Sequence, residues 1–103
     1  MNRDGNPDNA RFKLNPEFRV KLFNLALERE GRETQVGRRL GYKVAKGRRF
    51  RELRDGITHS ISYQQLEIVS EITGIPLDEI FRHATRYKRP VPTKIRNLRG
   101  DTK

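Results

Sequence analysis

Apolar residues recur along the middle of this chain at the spacing of helix faces, and glycines punctuate them. Phe18, Leu22, Leu25 and Ala26 lie where one side of a helix would place them, and Val20, Phe23 and Leu27 widen that side. Asn15-Pro16-Glu17 supplies an N-cap, a proline at the first helical position and an acid in the first turn; Gly31 supplies the stop. A short second helix is predicted from Glu33 to Leu40, with Val36, Gly37 and Leu40 inward and Gly41 closing it. Gly37 costs about 1 kcal/mol relative to Ala inside a helix, so it predicts a close approach of another backbone. A third helix is predicted over Lys46 to Arg54, seated through Phe50 and Leu53 and closed by Gly56. Ile57 to Ile61 reads as a loop anchored by its two isoleucines. Ser62 and Gln65 form a capping-box pattern ahead of Tyr63, Leu66, Ile68, Val69 and Ile72, which face inward as far as Gly74. Pro76 and the acids Asp78 and Glu79 open a fifth helix carrying Leu77, Ile80 and Phe81.

The two ends lack this periodicity. Residues 1–14 read as a loose N-terminal arm, and residues 84–103, with two prolines and seven basic residues, as an extended basic tail. The tail has three readings: a solvated end, an arm tracking phosphates or entering a minor groove, or a segment docking on another protein. The expected fold is therefore all-α: a compact five-helix domain over residues 15–83 with a basic extended C-terminal tail.

Charge changes the picture more than composition does. The chain has 103 residues and a net charge of +10, which draws it to polyanions. Residues 32–54 hold nine basic and two acidic residues, whereas residues 55–83 hold one basic and five acidic ones. A solubilising surface mixes its signs more evenly. The third helix carries Arg48, Arg49, Arg51 and Arg54 around a narrow apolar stripe. A B-DNA major groove about 12 Å wide admits one helix, and arginine is shaped to grip guanine O6 and N7 with two parallel hydrogen bonds. The preceding helix would then cross the phosphates, with the amides near Arg32 to Gln35 at one of them.

The stretch from Ser62 to Phe81, SYQQLEIVSEITGIPLDEIF, resembles the closing helices of the Cro/CI-type helix-turn-helix regulators, the XRE family. Val36-Gly37-Arg38-Arg39-Leu40-Gly41 resembles the family's second helix, with Gly37 where alanine is usual. Phe50, Leu53 and Gly56 match the apolar positions and terminal glycine of its recognition helix. The resemblance spans residues 17–82 and implies a lambda-repressor-like fold. It also implies that Arg48, Arg51 and Glu52 approach base edges, with Lys46 and Arg49 at bases or flanking phosphate. Glu52 has a second reading, as a partner of Arg48 or Arg49. Arg32, Gln35, Lys43, Arg54, Lys88 and Arg89 are the expected phosphate contacts. The chain departs from the family in a longer path from Gly41 to Gly56, in Arg54 where an acid is usual, and in Lys46-Gly47-Arg48 at the start of the recognition helix.

The expected partner is double-stranded DNA, the expected role a small repressor, and the expected location the cytoplasm, in association with the nucleoid. Family members usually act as dimers, and Val20, Phe23 or Leu27 would serve a homodimer if exposed. Two other roles fit the same sequence: an RNA-binding basic protein of ribonucleoprotein assemblies, and an antitoxin-type module that binds a partner protein. No cysteine, nucleotide-binding fingerprint, catalytic triad or metal-ligand spacing is present, so no enzyme, cofactor, metal or small-molecule ligand is expected. No apolar run reaches 18 residues, so no membrane helix is expected.

Overall fold

Asn15 caps the first helix as its position predicts, its side chain accepting a hydrogen bond from the Phe18 amide at 3.2 Å. A computed structural model of the chain describes residues 10–87. Five helices dominate it: α1 (Pro16–Glu30), α2 (Glu33–Arg39), α3 (Lys46–Asp55), α4 (Tyr63–Thr73) and α5 (Leu77–Phe81). Gly31, Gly56 and Gly74 take left-handed conformations as the C-caps of α1, α3 and α4. The capping box of α4 is complete: Ser62 accepts from the Gln65 amide, and Gln65 accepts from the Ser62 amide.

The all-α expectation needs correction, because three short strands join the helices. β1 (Arg11–Leu14) lies between β2 (Ile61–Ser62) and β3 (Ala84–Arg86), antiparallel to both. Phe12 is opposite Ile61 on one side and Arg86 on the other. Residues read as arm, loop and tail therefore form one sheet. The strands are too short to show a period of two, and β1 finds both of its partners far along the chain. Their stability comes from tertiary packing: Leu14 and Ile61 are buried, and Phe12 packs against Phe81 with ring centroids 5.0 Å apart. Ile57, expected to anchor the loop, is 67% exposed; only Ile61 does so.

The core runs between α1, α3 and α4. Leu22 and Phe23 of α1, Val36 of α2, Phe50 of α3 and Leu66 and Val69 of α4 are all but inaccessible to solvent. Phe23 meets Phe50 edge to face at 6.0 Å, a favoured arrangement for aromatic rings. Phe23 is thus unavailable to a dimer contact, while Val20 lies at the surface. Among the described residues no helix is long and apolar enough to cross a membrane.

Candidate nucleic-acid interface

A glycine allows α2 and α3 to pack closely. A side chain on Gly37 would collide with the backbone of Lys46, whose carbonyl carbon lies 2.8 Å from the position a Cβ would take. Gly47 is buried, and a Cβ there would lie 3.4 Å from the Thr34 methyl group. The first helix of the pair ends in a Schellman turn: the Tyr42 amide donates to the Gly37 carbonyl and the Gly41 amide to the Arg38 carbonyl, with Gly41 at φ 101°. The chain re-enters helix at Ala45, whose φ of 51° lies in the left-handed region that alanine rarely adopts.

From that base α3 buries Gly47, Phe50 and Leu53 and directs Arg48, Arg49 and Arg51 outward. The side chains of Arg48, Arg49 and Arg51 are 60%, 46% and 49% exposed. At 100° per residue Arg48 occupies the centre of the outer face, with Arg51 on the flank toward α2 and Arg49 on the opposite one.

This face is not a bare cationic surface, because every arginine on α3 has a carboxylate within 4 Å. Glu52, whose side chain is only 20% exposed, lies 3.7 Å from both Arg48 and Arg49. Its position matches the pairing reading better than base contact: the carboxylate is half buried and already engaged. Arg49 also lies over the Tyr42 ring at 5.9 Å. Arg51 donates to Glu33 in the first turn of α2 at 2.5 Å.

Arg54, expected at phosphate, is drawn inward instead. Its side chain is 21% exposed, lies over the Phe50 ring at 5.5 Å and donates to Asp55 at 2.9 and 3.3 Å. The reason is geometric: it sits on the buried side of α3, where the guanidinium covers an aromatic ring and meets an acid. The hydrogen bond from Arg54 holds the Asp55 carboxyl below the usual carboxylate range, and that bond in turn raises the Arg54 guanidinium. Arg19 completes the cluster by donating to the Arg54 carbonyl at 2.7 Å, close to the end of α3.

The remaining expected contacts are scattered around this helix pair. Arg32 is exposed at the N-cap of α2 and makes no side-chain cap bond, and Lys43 is exposed in the connection. Lys46 is half buried at the start of α3. Gln35 accepts from Arg38 at 2.9 Å, so its side-chain oxygen faces a cation. Lys88 and Arg89 lie outside the described residues. Sequence reasoning missed Glu33 and Asp55. Glu33 is eighteen positions from Arg51, too far for any local spacing rule. Asp55 adjoins Arg54, and adjacent helical residues are not ordinarily neighbours on one face. Arg38, also exposed, belongs to the same basic block.

No group of three or more His, Asp or Glu side chains suited to a metal ion occurs among the described residues. His83 stacks on Phe18 with centroids 4.0 Å apart. No family model, curated protein or solved structure matches this chain.

Proposed function

We propose that the chain is a sequence-specific double-stranded DNA-binding regulator of the helix-turn-helix kind, with α3 as the helix that enters the major groove. One observation carries the reading: α3 is fixed to the core through Gly47, Phe50 and Leu53 while Arg48, Arg49 and Arg51 face solvent from the same short rod. A rigid helix presenting guanidinium groups has the width the major groove accepts and the donors that guanine requires. Arg32, Arg38 and Lys43, on and beside α2, lie where phosphates flanking the groove would meet them, adding affinity without sequence preference. In this reading Glu52 orients Arg48 and Arg49, and Arg54 stabilises α3. A small repressor acting as a dimer on two half-sites is the corresponding biological role.

Selection of bound oligonucleotides from a random duplex pool tests this. A recurring motif is expected, and Arg48→Ala should then cost about 1–3 kcal/mol on it and relax preference at one base pair. Absence of any enriched motif, or displacement of the duplex by structured RNA at equal salt, overturns the reading.

A further inference from the structure

The arginine nearest α2 is held by a single bond. Arg51 donates through Nη1 to Glu33 Oε1, and Glu33 is its only hydrogen-bond partner among the described residues. The other Glu33 oxygen faces Arg54 at 4.0 Å, and Arg54 is itself fastened to Asp55. The carboxylate thus has a bonded cation on one side and a more distant one on the other. It also sits in the first turn of α2, where the helix dipole favours an anion.

We propose that Glu33 is a specificity-setting residue: it orients Arg51 for guanine and suppresses the same side chain's attraction to phosphate. The inference rests on the DNA-reading proposal above. A guanidinium has five N–H donors in one plane, and one bond to Glu33 leaves the others free for a base edge. Two consequences follow from the ion pair. The tip of Arg51 is tethered before binding, so less rotamer freedom is lost on forming two parallel bonds to O6 and N7. The adjacent negative charge also offsets the field of Arg51 at a phosphate, where recognition depends mainly on charge. Specificity is a difference between affinities, and the carboxylate acts on both sides of it. A purely structural Glu33 would instead change binding to every duplex alike.

The test uses the full chain, the duplex it selects and a scrambled duplex of equal length. Removing N7 from one guanine of the selected site, by substitution with 7-deazaguanine, should weaken the wild type about tenfold. Glu33→Gln, nearly the same shape, should lose most of that sensitivity. It should also bind the scrambled duplex more tightly, with a salt slope steeper by about one. Arg51→Ala should lose the same sensitivity, and adding Glu33→Gln to it should remove nothing further. Equal changes on both duplexes for Glu33→Gln, or retained sensitivity to N7, would overturn the role of Glu33 and leave DNA reading intact. The same holds if no guanine in the site responds. Failure to select any motif removes the DNA reading and this inference together.

Discussion

The absence of a methyl group at Gly37 determines how closely α2 can approach the start of α3. Gly37→Ala would force a Cβ into the Lys46 backbone, which cannot swing aside as a side-chain tip would. The expected cost is about 1–3 kcal/mol, measured as a lower urea midpoint at unchanged slope. That contact was legible in the sequence, because a glycine inside a helical pattern calls for a packing reason. Ala45 carried no such sign. Its left-handed backbone is imposed by the path from Tyr42 to Lys46, and a non-glycine residue there pays for it locally. Ala45→Gly should therefore stabilise the protein by about 0.5–1 kcal/mol: relief of the clash between Cβ and the following carbonyl outweighs glycine's added freedom when unfolded. A loss of stability on that change would show that the turn is unstrained.

At the scale of elements, α3 is stabilised at its end by charge as well as by its apolar stripe. Asp55 is held below the usual carboxylate range by its hydrogen bond from Arg54, so it remains ionised in the folded chain where an unfolded aspartate has begun to protonate. The resulting stability is fully present above about pH 4 and is lost as pH falls through the lower folded value. Asp55→Asn should accordingly be less stable than wild type at neutral pH, with the gap closing on acidification and narrowing in high salt; thermal melts across pH measure it. The helices were legible because apolar spacing marks each of them, reinforced by a side-chain cap at the start of α1 and α4 and by a glycine after α1, α2, α3 and α4. The strands were not, since four residues or fewer with distant partners leave no local periodicity. On α3 itself the buried stripe was readable, but the pairing of Arg51 with Glu33 depends on how α2 and α3 cross, and that of Arg54 with Asp55 runs against the rule that adjacent helical residues do not share a face.

The whole molecule separates its charges along the chain: the basic block spans α2 and α3, and most acids of residues 55–83 lie on the elements that follow. This division was readable from the sequence, as was the pairing of Glu52 with Arg48 or Arg49 as one of two readings; the partial neutralisation by Glu33 and Asp55 was not. Affinity for random duplex should fall linearly with salt on logarithmic axes, by about a thousandfold between 50 and 200 mM if six or so cations meet phosphates. A nearly flat titration would mean that the basic block does not face the polyanion. The sheet has a practical bearing on how the chain can be shortened. β1 is the middle strand, its Arg11 side chain clasps Ser60, and the Tyr87 amide donates to the Arg11 carbonyl at 2.9 Å. Trimming to residues 15–83, the span that helical periodicity alone recommends, would remove a keystone: β1 and β3 would both be cut away, β2 left without a partner and Leu14 taken from the interior. A truncated version fit for binding work must begin no later than Ala10 and end no earlier than Tyr87.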